Sequence, residues 1–344
     1  MAGSLRIGRL LLAPVLTCGT LFTFSMPVGA DAAPNCTTHE LKVRLADPGP
    51  ADQTLWGRLC YPGGARPGTV QLLVHGSTYN HSYWDFPTGD GRYSYVRAAV
   101  GAGHATFNVD RIGNGASSHP LSTRLGPEAG AVALHDAITA LRSGSLDGHA
   151  FSRVAWVGHS LGSFHAWYEI PRYRDVDAAI LTGSLHAINP EAGTIVHPAA
   201  QDPKFADSGL DPGYVTTRPG TRDFFYDPAT SDPKVIAADE TGKDVGTLTG
   251  GPPLPAPMDI RVPVLLVSGR RDRGQCVNVT QYDCADPASV ARWESQYYPP
   301  EARLTVTMIP GTGHDLALST TAPVTDAIML GWLRSSLARQ GPGG

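Results

Sequence analysis

Charge is scarce in this sequence. Aspartate, glutamate, lysine and arginine supply 17% of the 344 residues, and 27 basic side chains against 31 acidic ones leave a formal net charge of −4. There is no basic patch and no lysine or arginine run interleaved with aromatics. Nothing therefore offers a phosphate backbone the counter-charge it needs, and no nucleic-acid partner is expected. Metal-ligand spacing is missing as well. The 12 histidines include no H-E-x-x-H and no other tight cluster, so no metal is expected. Gly113 and Gly115 do not complete a G-x-G-x-x-G fingerprint with its later acidic partner, which excludes a dinucleotide, and no cofactor is expected. Cysteine is limited to five residues.

One of those, Cys18, falls in a stretch with its own logic. Arg6 and Arg9 are followed by no charge until Asp31, Leu10 to Phe24 is largely apolar, and Ala30-Asp31-Ala32 offers small residues for cleavage. Residues 1–32 read as a secretory signal peptide. Pro14 and Gly19 interrupt the apolar run and polar sequence follows at once, which favours cleavage over a membrane anchor. The expected protein is secreted, extracellular or periplasmic, with no stable membrane insertion after cleavage. An exported chain with four remaining cysteines suggests two disulfides. Three connectivities are possible. The favoured one pairs Cys36 with Cys60, placed nearly symmetrically about the turn at Asp47 to Ala51, and Cys276 with Cys284 across a short loop.

What the chain does contain is a rhythm of short apolar runs, each ending in small or polar residues. His39 to Leu45 and Thr54 to Tyr61 read as an antiparallel hairpin. Val70 to Val74, Ala105 to Val109, Val154 to Val157, Val176 to Leu181, Val262 to Val267 and Leu304 to Ile309 read as buried strands. Helical periodicity separates them, clearest over Pro127 to Leu141 and Ala322 to Leu337. The alternation predicts an α/β fold: a doubly wound, mostly parallel sheet with an antiparallel edge. Residues 33–185 and 259–344 form its two parts. Residues 186–258, rich in proline, aspartate, glycine and threonine, read as an inserted lid between the sixth and seventh strands.

The most informative stretch is VAWVGHSLGS, Val154 to Ser163. A strand runs into Gly158-His159-Ser160-Leu161-Gly162 and then a helix, the context in which G-x-S-x-G forms a strained turn that exposes its serine. Ser77, Asp110, Asp272 and His314 also follow directly after strands, so one rim of the sheet collects a nucleophile, an acid, a base and backbone donors. A serine hydroxyl needs an imidazole to take its proton, and that imidazole needs an acid to hold its tautomer. Ser160, His314 and Asp272 take these roles, with Glu191 as the runner-up acid. The backbone N–H groups of Ser77 and Leu161 are the candidate oxyanion donors. Tyr79, Trp84, His159, Phe224 and Phe225 are candidate substrate contacts. His75 and Asp110 are read as structural braces.

His75-Gly76-Ser77-Thr78, the DRIGNGASS run from Asp110 to Ser118, GHSLG, the strand-terminal Asp272 and GTGH ending at His314 together resemble the α/β-hydrolase fold family. The order serine, aspartate, histidine matches that family. The resemblance implies a Ser-His-Asp triad that hydrolyses a carbonyl substrate through an acyl-enzyme. It points to a small-molecule ester or lactone with partly apolar groups. A peptidase, a C–C hydrolase or a perhydrolase on the same triad stays open, as does a non-catalytic ligand-binding member. Oligomeric state is left open.

Overall fold

Alternate residues of the inner strands are apolar on both sides because helices cover both faces of the sheet. In the computed structural model, which describes Met1 and residues 34–247 and 258–341, Val70, Leu72, Val154 and Trp156 pack into one buried cluster. Their neighbours Leu73, Ala155 and Val157 pack into another on the opposite side. The signal segment assigned to residues 1–32 lies, apart from Met1, outside the described residues. Among the described residues no helix is long and apolar enough to cross a membrane.

In chain order the first elements are β1 (Asn35–Val43), β2 (Gln53–Tyr61), β3 (Thr69–Val74), α1 (Tyr95–Gly101), β4 (Ala105–Val109) and α2 (Pro127–Ser143). β5 (Arg153–His159), α3 (Leu161–Tyr173) and β6 (Ala178–Thr182) follow. The segment after β6 carries β7 (Val196–Pro198), β8 (Tyr214–Thr217), α4 (Pro233–Gly242) and β9 (Gly246–Thr247). The chain then returns to the sheet with β10 (Val264–Gly269), α5 (Pro287–Glu294), β11 (Thr305–Ile309) and α6 (Ala322–Ala338). The main sheet has eight strands in the order β1-β2-β4-β3-β5-β6-β10-β11. β1 and β2 pair antiparallel, as do β2 and β4, and the remaining pairs are parallel. α2 and α3 supply Leu134, Ile138, Trp167 and Ile170 to one face. α1 and α6 supply Val96, Val100, Met329 and Leu333 to the other.

Strand order reverses around β3, which has β4 on one side and β5 on the other. In open α/β sheets the crevice at such a switch point, at the carboxyl ends of the strands, is where ligands bind. Val74 of β3 pairs with Gly158 of β5, so the loop after His75 and the turn at Ser160 start side by side. In the opening hairpin Cys36 sits directly across from Cys60 and the two lie at disulfide distance. Cys276 and Cys284 do so too, so the favoured pairing is the one the fold brings together.

The boundaries differ from the sequence reading in small ways with local causes. α1 starts at Tyr95 rather than near Arg92, because the Ser94 hydroxyl caps it by accepting the N–H of Arg97. In the segment between β6 and β10 only the helical piece beginning at Pro233 has periodicity. The three-stranded sheet of β7, β8 and β9 has strands too short to show any.

Candidate active site

The turn at Ser160 is built by what its flanking glycines exclude. A Cβ at Gly158 would stand 2.7 Å from the Gly162 carbonyl oxygen and from the Ser163 nitrogen, and one at Gly162 would overlap the Val74 carbonyl. Only glycine lets α3 start this close to β3 and β5. Ser160 adopts φ 49°, ψ −116°, a conformation costly for a residue with a side chain. Neighbouring bonds hold it there: its N–H donates to Thr182 O at 2.8 Å, and its carbonyl accepts the N–H groups of Ser163 and Phe164.

His314 follows β11 and is nearly buried. Its Nδ1 donates to Asp272 Oδ2 at 2.8 Å, which fixes the tautomer and leaves Nε2 bare. Burial pushes the His314 pKa down, but the charge of Asp272 and this hydrogen bond outweigh it, and the net direction is upward. Asp272 is fully buried after β10. Its Oδ1 accepts the Gly274 N–H at 2.8 Å, and its carbonyl accepts the N–H of Cys276 at 2.7 Å. The runner-up acid, Glu191, instead accepts from Arg273 Nη2 at 2.8 Å and is half-exposed.

The loop after β3 passes against the serine, since a Cβ at Gly76 would lie 3.2 Å from Ser160 Cβ. It is tied down from beneath. His75 Nδ1 donates to Gly76 O at 2.8 Å, while its Nε2 accepts the Arg111 N–H at 3.1 Å. The Arg111 guanidinium donates to the carbonyls of His75 and Gly76. Burial first, and the charge of Arg111 second, hold the His75 pKa well below the usual histidine range, which suits a brace. Asp110 braces a second loop by accepting from the backbone N–H groups of His81 and Ala116.

Two cavities meet at Ser160. One, about 290 Å³, is lined by Tyr79, Phe224, Phe225 and His314 among others. The other, about 260 Å³, is lined by Arg111, Leu161 and His165 among others. Ser77, Ser160 and Phe164 belong to both walls. The geometry thus brings Ser160, His314, Asp272, Ser77 and Leu161 to one place, with Tyr79, Phe224 and Phe225 on a cavity wall.

Two candidate substrate contacts lie elsewhere, a correction to the sequence reading. Trp84 is buried among Tyr83 and Tyr95, with ring centroids 4.9 and 5.4 Å away. His159 is fully buried under the site, stacked 4.2 Å from the Tyr83 ring, with Nδ1 3.1 Å from Thr182 Oγ1. Both point into the apolar face that α1 and α6 complete, as alternation along a strand dictates for the residue preceding Ser160.

Sequence reasoning also missed a buried polar cluster beside His314. Arg222 Nε and Nη2 donate to Asp239 at 2.9 and 2.5 Å, and Nη1 donates to Thr78 Oγ1 at 2.8 Å. The guanidinium lies 4.0 Å over the Tyr79 ring. Tyr226 O–H donates to Asp239 Oδ2 at 2.9 Å. The Tyr79 hydroxyl touches Asp239 Oδ2 at 3.1 Å and makes a shorter contact with Asp315 Oδ2. Burial, with the charge of Asp239 behind it, pushes the Asp315 carboxyl up to about 7. Arg222 and Asp239 come from the inserted segment, whereas Thr78, Tyr79 and Asp315 flank the site. The one signal available, charged residues amid TRDFFY, names no partner.

Comparisons with known proteins agree with this architecture. A search of curated proteins gives no match. Among solved structures, a thermophilic esterase from Thermogutta terrifontis superposes with a TM-score of 0.56 at 18% identity, covering 87% of this chain and 99% of the other. Naproxen esterase (carboxylesterase NP) from Bacillus subtilis gives 0.54 at 16% over 86% and 91%. Proline iminopeptidase from Mycobacterium smegmatis gives 0.54 at 16% over 88% and 100%. At such identities the likeness is one of fold. Residues 71–327 match the family model described as Alpha/beta hydrolase family, and the chain belongs to that family.

Proposed function

We propose that this protein is a secreted serine hydrolase that cleaves a carboxylic ester or lactone with partly apolar groups. The observation that carries the reading is the joint placement of a strained Ser160 and an Asp272-bonded His314 on one cavity wall. Nε2 of His314 takes the Ser160 proton as Oγ attacks the substrate carbonyl. The oxyanion that forms is held by the N–H groups of Leu161, at the positive end of α3, and Ser77. Collapse breaks the carbonyl–alkoxy bond, and the imidazolium returns its proton to the leaving alcohol. Water, deprotonated by the same imidazole, then attacks the acyl-enzyme and releases the acid and Ser160.

The two cavities on either side of Ser160 suit the acyl and alkoxy parts of such a substrate, and their mainly apolar walls favour partly apolar, uncharged groups. Residues 186–258 act as the lid, with Phe224 and Phe225 contributed to the wall. Export accounts for the two cysteine pairs. The likeness to an iminopeptidase as well as to esterases favours amide cleavage on the same residues as a second reading.

A panel of p-nitrophenyl esters, lactones and aminoacyl amides separates these. Ester or lactone turnover should exceed amide turnover and vanish in Ser160→Ala. Amide turnover above ester turnover would favour the second reading. Binding of panel members without turnover would point to a ligand-binding member. For export, the secreted chain should begin near residue 33 on N-terminal sequencing.

A further inference from the structure

Away from the cavities, Glu169 of α3 is fully buried, and among the described residues no N–H or hydroxyl donor bonds either carboxylate oxygen, while the Asp175 carboxylate lies against it. A carboxylate in that position is strongly disfavoured unless a proton or a cation neutralises it. Two other donors converge on it. His135 of α2 places Nδ1 3.9 Å from Glu169 Oε1 and 2.6 Å from Asp175 Oδ2. Asp175 follows the left-handed residue Arg174 that ends α3, and its second oxygen, Oδ1, also lacks such a donor. One ligand atom from each residue lies within 4.8 Å of the others.

The local charge is two carboxylates against one imidazole. Among the described residues, the ion pairs of both carboxylates are with His135 alone. The nearby guanidinium of Arg142 is spent on the Asp175 carbonyl, the Ser152 carbonyl and Asp177, and that of Arg174 on Asp259. The imidazole is held in place by the Tyr173 ring, stacked at 3.7 Å. His135 and Asp175 are 22% and 16% exposed, so the cluster opens to solvent on one side while Glu169 closes it on the other.

The geometry points to a divalent-cation site formed by His135, Glu169 and Asp175, of the zinc class. One imidazole nitrogen with two carboxylates suits zinc, whereas calcium asks for an all-oxygen shell. Tetrahedral bonds near 2.1 Å put ligand atoms about 3.4 Å apart, so small side-chain rotations close the set, with water as fourth ligand. Zinc at Nδ1 takes the imidazole with its proton on Nε2, so the proton that now faces Asp175 moves from Nδ1 to Nε2. The site lies roughly 14 Å along α3 from Ser160. It cross-links α2, α3 and the turn entering β6, so its role is structural. The three ligands stand at 135, 169 and 175, a spacing that reads as nothing in the sequence, and this revises the expectation that no metal binds.

The test uses protein purified without a polyhistidine tag and dialysed against EDTA. Calorimetric titration with ZnCl2 should show one saturable equivalent per chain, with a rise in Tm, and CaCl2 at the same concentrations should show neither. His135→Ala and Asp175→Asn should each weaken zinc by more than the roughly 10–100-fold that outer-shell partners cost. His135→Ala removes a partly exposed ring, so it keeps the test open if Glu169→Gln fails to fold. Absence of saturable zinc binding overturns the proposal, as does binding that both substitutions leave unchanged. A Glu169→Gln variant that is more stable than the zinc-free parent, with no zinc binding in that parent, would show instead that the carboxylates share a proton.

Discussion

In β3 and β5 the buried positions are apolar apart from Gln71 and His159, and successive residues feed two separate clusters: Leu72 and Trp156 one, Leu73 and Val157 the other. Between β6 and β10 the most buried large side chains include Arg222, held by Asp239, Thr78 and the face of Tyr79. Lys243, also buried, bonds Asp202 at 2.7 Å. The sheet is therefore held by non-directional burial, which tolerates small errors of shape. The inserted segment is docked by directional, charge-assisted bonds that fit in one arrangement. Arg222 and Asp239 also reach Thr78 and Tyr79 in the loop that carries Ser77.

The largest effect should come from the sheet side. Ser160→Ala should leave a folded protein whose ester turnover falls by about 10⁴–10⁶-fold, and adding His314→Ala should cost little more, because such residues act as a unit. Steady-state kinetics with circular dichroism as the folding control reads both. Next comes the insertion. Arg222→Met strands a buried carboxylate and should cost about 3–5 kcal/mol in denaturant unfolding, with a fall in kcat. Pairing it with Asp239→Leu should recover much of the stability but not the turnover, since Thr78 and Tyr79 remain unheld. Full recovery of both would reduce the cluster to packing.

This contrast explains what was legible in the sequence. The eight main strands, their helices and the Ser160 turn follow from apolar periodicity and glycine placement, both local signals. Ser160, His314 and Asp272 are legible as candidates because each follows a strand, and strand ends share a rim. Trp84 lies in a loop whose inward face the sequence does not mark, and His159, at the end of β5, turns away from Ser160 as strand alternation requires; both are buried against Tyr83. The Arg222–Asp239 pair, 17 residues apart, and the contact of Tyr79 with Asp315, 236 residues apart, depend on tertiary geometry that no period encodes.

Smaller effects sharpen the comparison. The Cys276–Cys284 loop folds around Asp272, whose carbonyl takes the N–H groups of Cys276 and Val277. Its closure is worth roughly 2–3 kcal/mol. Changing both cysteines to serine should lower turnover more than the same change at Cys36 and Cys60, which staple the hairpin at the far edge of the sheet. Equal losses would mean that the loop does not position the acid. In the apolar core, Ile138→Val should cost only about 0.5–1.5 kcal/mol and leave kcat unchanged.

The subtlest expectation concerns pH. His314 must be neutral to accept the Ser160 proton, and its pKa is raised in the folded protein, mainly by Asp272 against the pull of burial. Ester turnover should therefore fall as pH drops through a value above about 6.5, the ordinary histidine pKa. Asp272→Asn should move that limb toward lower pH in whatever activity remains. A limb well below 6.5 in the parent protein would contradict the assignment of His314.

Hydrolysis at this site requires an activated serine at position 160. Incubating the protein with a fluorophosphonate and measuring the intact mass, followed by peptide mapping, reads that activation without knowledge of the substrate. The expected result is one adduct per chain, on Ser160, lost in Ser160→Ala and slowed by orders of magnitude in His314→Ala. No adduct on the folded protein, or an adduct on another serine that persists in Ser160→Ala, would contradict it.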